Sequence, residues 1–208
     1  MACRIGAHRG WTAEGPENST AALVAAAAVA DFAELDVRRS VDGVAVLSHD
    51  PEVAGLVVAE STAADLALVG VATLAEVLAS VGDLPLDIEV KPDVDPAVLD
   101  EVCRSARPID WVTSFNWAMV DTARVRRPDL TTGLLVDEGW DLDRAVGAAI
   151  DRGHRYVLPH HSMVVGPITG VDVAVWTVND PSEAGRLVDY GVAAVISDRP
   201  DLLREVCR

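Results

Sequence analysis

Phe32-Ala-Glu-Leu-Asp-Val-Arg-Arg-Ser-Val-Asp-Gly-Val-Ala-Val-Leu-Ser-His-Asp50 is the stretch from which the rest of the chain can be read. Phe32 to Val37 has the make-up of a short strand. A period of two puts Glu34 and Asp36 on one face, one strand repeat apart. Two carboxylates on one face make a platform for a metal ion. Asp42-Gly43 between Val41 and Val44 signals a two-residue hairpin turn. In that register His49 falls opposite Asp36, with Cα atoms roughly 5 Å apart as in an antiparallel ladder. The hairpin thus brings a titratable imidazole beside the carboxylate pair.

Upstream lie Ala7-His8-Arg9-Gly10 and Pro16-Glu17-Asn18-Ser19. His8, Arg9, Glu17, Glu34, Asp36 and His49 together can hold a divalent cation, grip an anion and move a proton at each end of a scissile bond. That is an inventory for hydrolysing a phosphate ester. Downstream, Pro85 to Pro92 reads as a second short strand in which Asp87, Glu89 and Lys91 share a face. Lys91 is the sole lysine against sixteen arginines, which suggests that a compact ammonium is wanted there. The plainer reading is that it neutralises Glu89 and Asp87.

These motifs, followed by Ser114-Phe115, Trp176-Thr-Val-Asn179 and Ile196-Ser-Asp198, resemble in order and content the glycerophosphodiester phosphodiesterase family. The likeness runs from residue 5 to about residue 200. It implies a TIM-barrel fold and a single divalent cation, magnesium or calcium, held by the positions of Glu34, Asp36 and Glu89. It also implies that His8 and His49 are the acid and base, that Arg9 and Lys91 bind phosphate oxygens, and that Trp176 packs on the glycerol side. Glu17 is read as a substrate-side residue that orients Arg9 or its loop.

Strand patterns at 4–8, 32–37, 86–91, 111–115, 131–136, 155–160, 172–178 and 193–197 alternate with helical ones at 18–30, 73–81, 96–106, 117–127, 142–152 and 182–190. A short helix follows Pro200. Asn18 is the expected cap of the first helix. Eight strands in 208 residues predict a trimmed (β/α)8 barrel, read as one domain over 1–208. The trimming falls between strands six and seven, where 162–171 is too short and too rich in glycine and proline for a crossover helix. The segment from His49 to Thr73 leaves room for only a small cap. His8, Asp36, Lys91, Phe115 and Asn179 all fall near carboxyl ends of strands, where barrel enzymes keep their chemistry.

A net charge of −16 argues against nucleic-acid partners and against adsorption to anionic membranes. Three dispersed cysteines without a C-x-x-C suggest reduced thiols. No apolar run reaches membrane-spanning length, and the first strand starts at residue 4, so a cytoplasmic location is expected. There is no Walker A, G-x-S-x-G or G-x-G-x-x-G motif.

The reaction expected is metal-dependent hydrolysis of a glycerophosphodiester to glycerol 3-phosphate and an alcohol, a step of glycerol and lipid metabolism. His8 is read as base and His49 as acid, an order that sequence alone leaves open. The attacking group is water or the substrate's glycerol hydroxyl. Three other readings are a lysophospholipase D-type phosphodiesterase, a barrel that binds a phosphodiester without cleaving it, and a Schiff-base enzyme using Lys91. Against the last, Glu89 should keep Lys91 charged. His160 and His161, being adjacent, point to opposite faces, and Trp11, Trp111, Trp117 and Trp140 are read as packing. Asp198 is either a helix cap or a partner of the site.

Overall fold

The structure, a computed structural model, describes residues 3–92, 95 and 97–207. Its strands are β1 (Arg4–Ala7), β2 (Phe32–Arg39), β3 (Ala45–Leu47), β4 (Glu52–Val53), β5 (Leu56–Val57), β6 (Leu86–Val90), β7 (Trp111–Ser114), β8 (Thr131–Val136), β9 (Tyr156–Pro159), β10 (Asp172–Val175) and β11 (Ala194–Ser197). Eight of them run parallel in the order β1-β11-β10-β9-β8-β7-β6-β2. Pairing of Gly6 with Phe32 and of Ala7 with Ala33 closes the ring. This is the trimmed barrel that the strand spacing predicts.

The helices are α1 (Thr20–Ala26), α2 (Ala63–Ala67), α3 (Leu74–Ser80), α4 (Ala97–Ser105), α5 (Trp117–Arg126), α6 (Leu142–Arg152), α7 (Pro181–Asp189) and α8 (Pro200–Leu203). The fourth expected helix was to begin at residue 96, which lies outside the described residues. Side-chain caps start most of them: Thr73 and Glu76 form a reciprocal capping box on α3, and Asp141 and Asp180 cap α6 and α7. Between β9 and β10 the chain makes only a single 3-10 turn, His161–Met163, so the crossover helix is missing where the sequence predicts it to be.

Strand alternation sorts the interior into layers. Phe32, Trp111 and Tyr156, near the strand starts, stack inside the barrel with centroids 4.7 and 4.3 Å apart. The Arg4 guanidinium lies 5.1 Å from the centroids of both Phe32 and Trp111. This aromatic floor needs space. A Cβ on Gly6 would lie 2.4 Å from the Phe32 ring, and one on Gly133 would lie 2.4 Å from Leu158 Cδ1. Two residues further along β2 and β7 the same faces carry Glu34 and Thr113 instead. The opposite faces of these strands, with Leu35, Val37, Ile88 and Val112, pack into an apolar core with the helices. Phe32 to Val37 is therefore wholly buried, yet its inward side turns from apolar to acidic toward the mouth.

Two local expectations are corrected. The β2–β3 hairpin is joined by three residues, Val41 to Gly43, so Val37 pairs with Leu47 and Arg39 with Ala45. Gly43 adopts φ 88°, and the Ser40 hydroxyl accepts from the Val44 N–H, which builds the longer loop. Asp36 consequently faces Ser48, whose N–H donates to its carbonyl at 3.1 Å, and not His49. Secondly, α1 is shorter than 18–30, and its cap is Ser19, not Asn18. Asn18 is turned elsewhere, with φ 55°.

The segment between His49 and Thr73 is folded. The β4–β5 hairpin, a 3-10 turn at Val58–Glu60 and α2 surround a small apolar cluster of Val46, Val58, Leu66 and Val71. Among the described residues no helix is long and apolar enough to cross a membrane.

Candidate active site

Glu34 and Asp36 from β2 meet Glu89 from β6 at the carboxyl end of the barrel. Parallel register sets Asp36 beside Glu89, and Glu34 beside Asp87. Each of Glu34, Asp36 and Glu89 offers an oxygen within 4.8 Å of the others, and all three are buried. Lys91 is buried against them, its Nζ 2.6 Å from Asp36 Oδ1 and 2.7 Å from Glu89 Oε1. Asp87 pairs instead with Thr113, whose hydroxyl donates to it at 2.7 Å.

The electrostatics follow from packing four carboxylates where water is scarce. Burial, then repulsion from Asp36, Glu89 and Asp87, pushes Glu34 well above the usual carboxylate range. Burial likewise raises Glu89, against the pull of Lys91, and lifts Asp87 to about 7. Burial would raise Asp36 too, but Lys91, Asn18 and Arg9 outweigh it and hold its carboxyl below its ordinary value. For Lys91 burial acts downward, while Glu89 and Asp36 prevail and keep the ammonium above its usual range. A lysine so held is a poor Schiff-base nucleophile.

Two residues in left-handed backbone conformation anchor the loop after β1. Arg9, at φ 55°, donates its N–H to Glu34 Oε2 at 2.9 Å. Its Nη1 donates to Glu17 at 3.0 Å, and its buried Nε lies 3.2 Å from Asp36 Oδ2 without the alignment of a hydrogen bond. Asn18 Nδ2 donates to Asp36 Oδ2 at 2.7 Å, and the Asp36 N–H donates back to Asn18 Oδ1 at 3.0 Å. Helix-cap reasoning assigned Asn18 to α1. The signal available was its place in the Pro-Glu-Asn-Ser motif beside a carboxylate strand.

His8 and His49 line the same cavity as Arg9, Glu34, Asp36, Asp87, Glu89, Phe115 and Trp176. His8 Nδ1 lies 2.6 Å from Asp198 Oδ1, and its Nε2 is 4.0 Å from Glu34 Oε2. Asp198 is held in turn by Asn179, whose Nδ2 donates to Oδ2 at 2.8 Å. The pairing with His8 holds the Asp198 carboxyl below its ordinary value. His49 reaches the cavity from the turn after β3. Arg38 Nε and Nη2 donate to its backbone carbonyl at 3.0 and 2.8 Å, and its Nδ1 lies 2.8 Å from Asp50. Of the two parts open to Asp198 from the sequence, the contact with His8 is the one formed, since the last helix has no side-chain cap; Asn179 holds Asp198, and Arg38 was not singled out by the motifs.

Trp176 donates its indole N–H to the Leu158 carbonyl at 2.8 Å, which fixes the ring on the side of the cavity away from the carboxylates. His160 and His161 stay outside the carboxylate cluster. They lie 3.0 Å from Glu138 and 3.1 Å from Glu183 respectively.

Comparison with known proteins places the chain in a family and matches its barrel fold. The sequence model of the Glycerophosphoryl diester phosphodiesterase family matches residues 8–202. The chain is 26% identical over 236 residues to a glycerophosphodiester phosphodiesterase of Caldanaerobacter subterraneus, covering 97% of this chain and 96% of that protein. It is 31% identical over 238 residues to a Mycobacterium tuberculosis protein described as probable glycerophosphodiester phosphodiesterase 2, covering 96% and 89%. The crystal structure of glycerophosphodiester phosphodiesterase from Thermotoga maritima superposes with a TM-score of 0.83 at 24% identity, covering 99% of this chain and 98% of that one. An Oleispira antarctica phosphodiesterase in complex with the product sn-glycerol-3-phosphate gives 0.81 at 21%, covering 99% and 96%. With a family match spanning the barrel from His8 to Leu202, this chain belongs to the glycerophosphoryl diester phosphodiesterase family and is an enzyme of that class.

Proposed function

We propose that the protein hydrolyses glycerophosphodiesters to glycerol 3-phosphate and an alcohol in a reaction that depends on one divalent cation, with His8 and His49 as its two proton-transfer groups. The observation that carries this reading is the buried cluster of Glu34, Asp36 and Glu89 opening on a cavity that both imidazoles line. Four buried carboxylates face the charges of Lys91 and Arg9, an excess of negative charge that fits a cation. An all-oxygen donor set suits magnesium or calcium. When bound by Glu34, Asp36 and Glu89, such an ion would polarise a phosphoryl oxygen and acidify a hydroxyl near it.

The chain's own groups do the rest. Arg9 and Lys91 supply the positive charge that receives the phosphate, and Glu17 steadies the Arg9 guanidinium at 3.0 Å. Asp198 accepts the Nδ1 proton of His8, which leaves Nε2, on the carboxylate side, to take a proton from the attacking water or glycerol hydroxyl. Asp50 pairs with Nδ1 of His49 in the same manner, so that Nε2 of the protonated ring can deliver a proton to the departing alkoxide. Trp176 gives the carbon skeleton of the substrate an apolar wall.

The test is release of glycerol 3-phosphate from glycerophosphocholine, glycerophosphoethanolamine and glycerophosphoglycerol. It is run with magnesium, with calcium and after EDTA. Activity abolished by EDTA and restored by a divalent ion is expected. His8→Ala and His49→Ala should each lower kcat by about 100-fold or more. Full activity in EDTA, or in either histidine variant, would sink the scheme.

A further inference from the structure

At the end of the barrel opposite the site, where the strands begin, closure of the ring brings together two cysteines that lie far apart in sequence. Cys3 and Cys207 are both buried and share one apolar cluster with Ile5, Val195 and Leu203. Cys3 immediately precedes β1, and the Arg4 N–H beside it donates to the Ala193 carbonyl at 2.9 Å, which ties the start of β1 to the approach of β11. Cys207 follows α8, where its N–H donates to the Leu203 carbonyl at 3.1 Å and turns the chain back under β1. Its side chain also lines a cavity of about 300 Å³ with Ile5, Val29, Asp31 and Arg204, so a small molecule has a route to it. Asp31 is fixed there by the Ile5 N–H at 2.8 Å. Cys103, the third cysteine, is buried in a different cluster against the other side of the barrel.

We propose that Cys3 and Cys207 form a reversible disulfide by exchange with a small-molecule disulfide, a redox staple between β1 and the segment after α8. Because β1 leads into His8 and α8 follows Asp198, the bond fastens together the elements that carry that pair. The two thiols interact side chain to side chain and are not equivalent. Hydrogen bonding with Cys207, then burial, pushes Cys3 well above the ordinary thiol range, whereas the same bond holds Cys207 below it against burial and the charge of Asp31. Cys207 is therefore the attacking group. Its thiolate meets one sulfur of the small disulfide from the cavity, and the expelled thiolate takes up the proton that Cys207 gave. Cys3 then loses its proton and attacks the Cys207 sulfur, releasing a second small thiol. Two protein thiols are oxidised, one small disulfide is reduced to two thiols, and no further oxidant is needed. Two of the three cysteines thus have a part beyond the plain reduced thiols that their spacing suggests.

The test equilibrates the wild-type protein with oxidised glutathione or with dithiothreitol, then denatures and alkylates it for mass measurement. The reduced sample should carry three alkyl groups and the oxidised one a single group, on Cys103, with Cys3 and Cys207 joined in the digest. The oxidised protein should melt about 5–10 °C higher, since the bond closes a loop of nearly the whole described chain. Cys3→Ser should stop at a glutathione adduct on Cys207 with no rise in midpoint, and Cys103→Ser should behave as the wild type. Three alkylated cysteines in the oxidised wild type overturn the proposal without any variant, and so does a disulfide that involves Cys103. A Cys3–Cys207 bond that leaves the midpoint unmoved overturns the staple. None of these readouts uses the hydrolase activity, so they stand apart from the reading of the site.

Discussion

Asp36 is gripped on both carboxylate oxygens, by Lys91 at 2.6 Å and by Asn18 at 2.7 Å, while its own N–H returns to Asn18 at 3.0 Å. Asn18→Ala leaves that N–H without a partner in a buried place, and leaves Oδ2 with the Arg9 guanidinium 3.2 Å away as its one remaining charge partner. The expected result is a 10- to 100-fold loss of magnesium or calcium affinity, read by calorimetric titration, with the circular dichroism spectrum unchanged. Unaltered affinity would mean that Asn18 only shapes its loop. Arg38 acts at one remove, through the backbone carbonyl of His49. Arg38→Met should lower kcat about tenfold with KM within about twofold, as expected where the misplaced imidazole has the proton-transfer part proposed for it and no part in binding. A rise in KM at constant kcat would speak against that role. Asp198→Asn should cost a similar factor and shift the pH profile of kcat, since the amide no longer fixes the proton of His8 on Nδ1. A variant with the wild-type profile would remove Asp198 from the proton-transfer path. None of these contacts is local in sequence: 18, 11 and 190 residues separate the partners. The residue types were visible in the motifs, but who touches whom was not.

At the scale of elements, alternation along β2, β6 and β7 was readable because a period of two is a property of the strand alone. The hairpin register was not, because Ser40 competes for the turn through its hydroxyl and lengthens the loop by one residue. A one-residue slip inverts every facing residue, so His49 reaches the cavity from the turn beyond β3 and not across the ladder. The crossover between β9 and β10 was legible as a deficit of length and of helix-forming residues. The cap after His49 was not, since β4, β5 and α2 are two to five residues long and lean on Val46, Val58, Leu66 and Val71 for their stability. Two strand glycines matter for space and not for φ. Gly133→Ala drives a methyl into Leu158, and about 1–3 kcal/mol of stability should be lost, measured by the urea midpoint at constant m-value. A neutral outcome would show that the floor can give way.

The whole molecule stores its charge unevenly, and this sets its response to pH. Glu34, Asp87 and Glu89 have folded pKa values raised above the ordinary range, with Asp87 at about 7. Above the ordinary carboxylate range the folded state therefore holds more protons than the unfolded chain at these sites, up to about pH 7 for Asp87, and stability falls as pH rises there. His154 works the other way. Burial lowers its pKa, so stability falls as pH drops below about 6.5. Three groups outweigh one, so the metal-free protein should melt at a higher temperature at pH 5.5 than at pH 7.5. A saturating divalent cation needs the deprotonated carboxylates and should reverse that order, adding about 2.7 kcal/mol at 100 times Kd. Thermal melts at the two pH values, with EDTA and with cation, check both parts. A higher midpoint at pH 7.5 in EDTA would contradict the assigned burial of charge. The chain by itself determined the strand–helix alternation, the trimmed barrel and the residue types of the site, because periodicity, length and motif order are properties of one dimension. Only the tertiary structure decided that Asn18 serves Asp36, that Asp198 serves His8, and that Arg38 holds the turn of His49. Those pairings arise when a closed ring of strands brings distant loops to one mouth, where burial and hydrogen bonding select the partners.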